Sequence, residues 1–578
     1  MTDTDLLITL LTCVMLMALV GWVSYAKTKG SVDDKDGYFL AGRGLTGTFI
    51  AGSMLLTNLS AEQLIGLNGS AYGYNLSSMA WEVTAGFATL IMALVFLPRY
   101  LAGAFTTLPE FLSERFDDDV RRATAALFLL GYGLITIPSV LYSGALAVLR
   151  LFNVPEMLSI GHSESLLVTI LVIGMVGGVY AVFGGLRAVA VSDTLNGAGM
   201  LIIGILVPLF GFAALGDGSV LEGIKTLTST HKEKLNAIGT PSDPTPFATI
   251  FTGMIFANLF YWGTNQYVIQ RTLGAKNLAE GQKGVILTGF LKLIVPFLMM
   301  IPGVIAFHLY GPELATIDLA YPHLVANVMP VYLSGFFLAV LLGAVFSSFN
   351  SLLNSAATLF VLDIYAPMKK KVIDDQTLIS LAKKASIVIA LFSFVAAPML
   401  QYAPQGLWQI IRIFTGFYNI PIIAIVLVGL FARHVPAQAA KIAMVFHLVA
   451  YSVYQLFDDV ITIHFIHIYA ILFVLEVSIM LFIGWRKPKA TSWQASNRRA
   501  VDLTPWRFAL PSAILLLASI AQLYLLFSPL GLAGEMGSGF WIASALLSVL
   551  TVVLFYLALT RWNRRYENQL EKIHLGES

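Results

Sequence analysis

The sequence predicts an all-α polytopic membrane protein, and three observations predict it. Hydrophobic residues make up 57% of the 578 and charged residues 12%. Soluble domains carry about 25% charged residues, and the mean hydropathy of +0.79 points the same way. Second, apolar runs of roughly 20 residues, the length that crosses a hydrocarbon core, recur along the whole chain. Third, one of those runs, Ser53–Tyr74, turns polar partway, placing Thr57, Asn58, Ser60, Glu62 and Gln63 at membrane depth with Gly66, Gly69 and Gly73 close behind. Each unpaired polar group in hydrocarbon costs several kcal/mol, roughly. That segment is therefore expected to break and line a cavity.

Taken in order, about fifteen spans are expected: 6–26, 46–67, 77–99, 122–150, 165–185, 193–215, 246–268, 283–309, 330–365, 384–402, 407–431, 438–456, 462–485, 507–528 and 538–560. Lys and Arg cluster after the odd-numbered spans, as in Arg115–Arg122, Arg187, Arg271, Lys369–Lys371 and Arg486–Arg507. The positive-inside rule then places the N-terminus outside and the C-terminus inside. Asp3 and Asp5 precede the first run where a signal peptide would be basic, so that run is expected to stay in the membrane. Cys13 is the single cysteine, which excludes an internal disulfide. A net charge of +2 gives no footprint for nucleic acid.

Ionisable and amide residues inside these spans mark candidate sites. Glu82 follows Trp81 in span 3; it serves either a site or an outer helix end. A tight break is expected at Gly184-Gly185, and Asp193 then either caps the next helix or acts in the membrane. Span 7 repeats polar and aromatic residues at steps of three to four, Asn258, Tyr261, Trp262, Asn265 and Gln266, which share one helical face. Such a face suits a hydroxyl-rich ligand. Lys292 lies about 13 Å inside span 8 at 1.5 Å per residue, partly within snorkelling reach. Span 9 carries Ser347, Ser348, Asn350, Ser351, Asn354 and Ser355. Small polar residues of this kind pack helices together, but the Ser347-Ser348 pair better suits a sodium ion. Gln409 and Arg412 sit in span 11. His447, His464 and His467 fall near span ends and read as interfacial. Paired histidines at metal spacing and a nucleophile beside its base are absent from the pattern, so an enzyme is not expected.

These residues resemble the sodium/solute symporter family, in its sodium–sugar cotransporter branch. The resemblance is carried by NLSAEQLIGLNG (Asn58–Gly69), AWE (Ala80–Glu82), GGLRAV (Gly184–Val189) with Asp193, ANLFYWGTNQYVIQRTL (Ala257–Leu273), FLKLIVPF (Phe290–Phe297) and FSSFNSLLNSAATLF (Phe346–Phe360). It implies an inverted five-helix-repeat transporter core with broken first and sixth core helices. Residues 46–215 would form the first repeat, 246–431 the second, and 438–560 peripheral helices. Substrate would be held by Gln63, Glu82, Asn258 and Lys292 with Asn58 in support, closed by Tyr261 beside Trp262. Sodium would be held by backbone carbonyls at Leu56, Leu59 and Ala344 with the hydroxyls of Ser347 and Ser348. A second sodium would use Asp193.

The chain also departs from the branch. Arg412 stands where a glutamine is common, with Gln409 one turn earlier. It would either hold an anionic substrate through bidentate hydrogen bonds or pair with Glu82. The function implied is sodium-coupled uptake of a sugar-like solute across the plasma membrane by a multi-pass protein. The alternative is sodium- or proton-coupled uptake of an anionic solute such as a sugar acid, a sialic acid or a sulfated sugar.

Overall fold

The computed structural model describes residues 3–28, 40–152, 154–314, 317–369, 373–402, 407–457, 460–490, 493, 498 and 501–574; the side chains of 56, 61–62, 179–190, 407–410 and 412–413, among others within helices, also lie outside the description. In chain order the elements are α1 (Asp3–Thr28), α2 (Gly47–Asn58), α3 (Ala61–Gly73), α4 (Leu76–Gly103), α5 (Asp118–Leu146), α6 (His162–Leu215), α7 (Gly253–Gly263), α8 (Gln266–Leu273), α9 (Leu278–Tyr310), α10 (Val331–Lys369), α11 (Asp375–Leu400), α12 (Leu407–Phe431), α13 (Ala437–Leu456), α14 (Phe465–Arg486), α15 (Ala509–Leu526) and α16 (Ser538–Ile573). Among the described residues the only β pairing is an isolated bridge between Leu45 and Ala275.

Twelve helices among the described residues are long and apolar enough to cross a membrane, against about fifteen expected. Two of the three missing spans have a physical source. The spans expected at 46–67 and 246–268 are each split into two short helices, α2/α3 and α7/α8. The span at 165–185 has described side chains only as far as Gly178, within a helix that continues from His162 to Leu215. The break expected at Gly184-Gly185 is not seen in the backbone, which runs as one helix from His162 to Leu215. A glycine costs a helix only about 1 kcal/mol relative to alanine, so a pair alone does not force an end. Asp193 consequently sits inside α6 rather than at a cap.

The first break falls at Leu59 (φ −75°, ψ 84°) and Ser60 (φ −98°, ψ 168°). The second falls at Thr264 (φ −137°, ψ −18°) and Asn265 (φ −68°, ψ 117°). Neither Ser60 nor Asn265 caps the helix that follows with its own side chain. At the second break Tyr132 OH from α5 takes the Tyr267 N–H at 3.4 Å instead. Partners across the bundle fix both halves of the first broken helix. Gly47 N donates to Glu280 Oε2 at 2.8 Å at the start of α2. Along α3, Asn68 Nδ2 donates to Met299 O at 3.1 Å and Tyr72 OH to Gly311 O at 2.6 Å. A Cβ on Gly303 would lie 2.1 Å from Asn68 O, so α3 and α9 approach at a distance only glycine permits.

Several basic residues expected in inner loops are instead buried. Arg115 is fully buried and donates to the carbonyls of Gly429 (2.8 Å), Ala432 (2.6 Å) and Val435 (3.1 Å). A guanidinium fork there takes one last-turn carbonyl of α12 and two in the loop just beyond it. Arg121 pairs with Asp363 at 2.7 Å. At the other extreme, only 6% of the most apolar window of α16 is buried, so its face is left to lipid. Among the described residues five helices carry a π-helical turn: Met92–Phe96 in α4, Tyr132–Thr136 in α5, Pro296–Met300 in α9, Leu359–Tyr365 in α10 and Ala558–Trp562 in α16.

Candidate functional site

The two breaks meet a cavity of about 190 Å³. Asn58, Ser60 and Gln63 reach it from the first break, and Asn258, Tyr261, Trp262 and Asn265 from the second. Glu82 enters from α4, Lys292 from α9 and Ser348 from α10. Tyr418 and Asn419 of α12 complete one wall, and Tyr469 of α14 adds an aromatic.

Inside, four side chains form one polar cluster. Lys292 Nζ donates to Glu82 Oε2 and to Asn58 Oδ1, and Gln63 Nε2 donates to Glu82 Oε1 at 3.1 Å. Lys292 and Glu82 are 1% and 3% exposed, so neither reaches water by snorkelling or at a helix end. The lysine also lies over the Trp262 ring at 5.7 Å, a cation–π contact. Asn258 stands apart from the cluster, with its Nδ2 donating to Thr84 Oγ1 at 3.0 Å. Tyr261 OH accepts from Tyr267 OH at 2.9 Å, and Tyr132 OH donates to Asn265 Oδ1. Lys292 and Glu82 are the charged side chains among the described cavity residues, and their formal charges cancel.

Beside the first break, α2 meets α10. Ser348 Oγ donates to Thr57 O at 3.3 Å. Ser347 Oγ is buried with no hydrogen bond of good geometry, although it lies close enough to Asp193 to interact with the carboxylate. Ser348 against the Thr57 carbonyl, next to a broken helix and beside Ser347, makes an oxygen-rich setting of the kind that fits a hard cation. Leu59 and Ala344 are fully buried at this seam, while the side chain of Leu56 lies outside the described residues.

Asp193 is engaged by a cation of the chain itself. Its carboxylate lies 3.5 Å from the Arg271 guanidinium, and both are fully buried. Ser53 Oγ bridges them, accepting from Arg271 Nε at 2.7 Å and donating to Asp193 Oδ2 at 2.7 Å. Arg271 also donates to Ser351. A second sodium at Asp193 would share the acid with this guanidinium. The side chains of Gln409 and Arg412 lie outside the described residues. Arg412 follows Ile411, which lines the cavity.

Two residues escaped the sequence reading. Arg271 reads there as a loop charge, and its acidic partner lies far along the chain. Glu476, in α14, is fully buried against His447, which is fully buried in α13 rather than interfacial. An acid inside an apolar span was the available signal.

The profile of the sodium:solute symporter family matches residues 38–446. The uncharacterized symporter YidK of Escherichia coli is 44% identical over 557 residues, covering 96% of this chain and 95% of that protein. The sodium/glucose cotransporter of Vibrio parahaemolyticus is 33% identical over 447 residues, covering 73% of this chain and 80% of the relative. Among solved structures, a Na+-coupled sialic acid symporter in a substrate-bound outward-open state superposes with a TM-score of 0.73. The identity is 20%, with 84% of this chain and 99% of that one covered; the likeness is one of fold. Its relatives are transporters rather than enzymes, and sodium is the coupling ion. This chain is a multi-pass membrane symporter that belongs to the sodium:solute symporter family.

Proposed function

We propose that the protein carries a neutral polyhydroxylated solute, a sugar or polyol, into the cell with sodium across the plasma membrane. One observation carries this reading: the cavity's described charges are a self-neutralised Lys292–Glu82 pair extended by the amides of Asn58 and Gln63. Such a cluster offers donors and acceptors side by side, the pattern of sugar hydroxyls, and aromatic rings supply apolar walls for ring carbons. In this reading Asn58, Gln63, Glu82, Asn258 and Lys292 bind solute, and Tyr261 with Trp262 closes the site. Sodium binds the carbonyls of Leu56, Leu59 and Ala344 with Ser347 and Ser348. Because Asn58 ends α2 at the break, sodium that steadies this end also steadies a solute ligand. Each sodium entering down 100 mV supplies about 2.3 kcal/mol, or roughly fiftyfold accumulation. Residues 46–215 and 246–431 act as the two repeats, and the loop charges favour an outer N-terminus.

The anionic alternative rests on Arg412, adjacent to cavity-lining Ile411. Uptake into proteoliposomes with an imposed sodium gradient separates the two. Neutral hexoses or inositols should compete for uptake and sugar acids or sulfated sugars should not. Accumulation that persists with sodium replaced by choline would overturn sodium coupling. Competition by anionic sugars alone, lost in Arg412→Gln, would establish the alternative.

A further inference from the structure

Away from the cavity, two titratable side chains meet inside the bundle. His447, midway along α13, and Glu476, midway along α14, are both fully buried. Nδ1 of the ring lies 2.5 Å from Glu476 Oε1, and Nε2 lies 2.9 Å from the carbonyl oxygen of Gly416 in α12. A carbonyl oxygen only accepts, so Nε2 carries a proton. A second proton then sits between Nδ1 and the acid, giving either imidazolium with carboxylate or imidazole with carboxylic acid. Both forms have zero net charge. Loss of that bridging proton would strand an anion whose other oxygen, Oε2, is already buried without a donor.

The far end of this chain of contacts is shaped for it. A Cβ on Gly416 would lie 2.2 Å from the Tyr451 hydroxyl oxygen. Tyr451, one turn beyond His447, stacks on the imidazole with centroids 5.6 Å apart and planes at 18°. Thus α13 presses two rings onto α12 at a residue with no side chain. Thr415, Tyr418 and Asn419, immediately around Gly416, line the solute cavity, and α14 adds Tyr469 to the same wall. Among the described residues the titratable groups against the imidazole are Glu476 from α14 and Tyr451 from α13, and Tyr451 in turn meets Tyr454 and Tyr469; α12 offers the Gly416 carbonyl.

We propose that His447 is a positioning residue for transport: the proton-bridged chain Gly416–His447–Glu476 holds the α12 wall of the cavity from outside the core repeats. The proposal rests on reading that cavity as the solute site. The wall's position then depends on the bridging proton, and removing it loosens α12 and weakens solute binding without touching sodium.

The test uses the full chain in proteoliposomes, with D-glucose, D-galactose and myo-inositol as probes. His447→Ala should raise the solute KM about tenfold while leaving the sodium concentration for half-activation within twofold. His447→Gln, which keeps a donor for the Gly416 carbonyl, should recover most of that loss. Glu476→Gln, which removes the acid that shares the proton, should also raise the solute KM and quicken amide exchange across residues 411–420. Amide exchange across residues 411–420 should quicken about tenfold in His447→Ala and stay near wild type in His447→Gln. An unchanged KM in His447→Ala overturns the proposal, as does equal loss of solute and sodium dependence with no rescue by glutamine. If His447→Ala does not fold, Glu476→Gln decides: an unchanged solute KM and unchanged amide exchange there overturn the proposal. If wild type takes up none of the three probes, the neutral-solute reading fails. Amide exchange then judges the positioning role alone.

Discussion

Removing the charge of Lys292 tests the electrical design of the cavity. In Lys292→Met, Glu82 keeps Gln63 as a donor but loses its counter-charge. At a typical ion-pair separation of about 3 Å and an effective dielectric of about 20, the attraction is about 5 kcal/mol. Desolvation of two groups that are 1% and 3% exposed offsets much of it. Stranding one partner of such a pair costs about 3–5 kcal/mol. Glu82→Gln strands the lysine in the same way, though Asn58 still accepts from it. The double variant restores neutrality, so its loss should fall short of the two single losses added together by about 1–3 kcal/mol. Reversible unfolding in mixed detergent micelles reads the three losses. Uptake should fail in all three variants, because the groups that would meet solute hydroxyls are gone. Strictly additive losses would show that the charges do not neutralise each other. The cavity would then have no neutral character to favour an uncharged solute.

Three further outcomes follow from the geometry. Ser347→Ala removes a buried hydroxyl with no good hydrogen bond; it should raise the sodium requirement about tenfold, about 1.4 kcal/mol, with solute KM unchanged at saturating sodium in a flux assay. Asp193→Asn and Arg271→Met each strand one member of a fully buried pair and should lower the thermal midpoint, while the double variant recovers part of it. Gly416→Ala places a methyl against Tyr451; overpacking of this kind costs about 1–3 kcal/mol, and adding Tyr451→Ala should relieve it.

The fold was legible wherever polarity conflicted with a membrane environment. Asn58, Ser60 and Gln63 announced the first break, because hydrocarbon tolerates such groups only beside a cavity. Asn258 and Asn265 read as one continuous helical face, and the break between them was expected only from the family resemblance. Glu82 and Lys292 were each legible as costly. Their direct pairing was not, since it joins side chains from α4 and α9. Arg115 and Arg271 were misread for a related reason: near a span end, a basic residue looks the same whether it meets headgroups or folds back onto carbonyls and a carboxylate. His447 was misread because its partner Glu476 lies on another helix, and no local pattern links two single residues. Gly184-Gly185 misled in the opposite sense, as a permissive dipeptide taken for an obligatory turn.

The π-helical turns have a mechanical consequence. An ordinary kink in a membrane helix opens the i→i−4 ladder and leaves carbonyls unsatisfied in oil. A π turn takes in an extra residue and re-pairs at i→i−5, so curvature and slip are absorbed while the N–H groups stay bonded. Four of the five lie in α4, α5, α9 and α10, which supply Glu82, Thr136, Lys292 and Ser348 to the cavity. Thr136 belongs to such a turn itself. In α5 and α9 the turns lie within about one helical turn of Thr136 and Lys292, so the outer and inner ends of these two spans are joined by compliant sections beside the cavity. Either end can swing without dragging a bare amide through lipid.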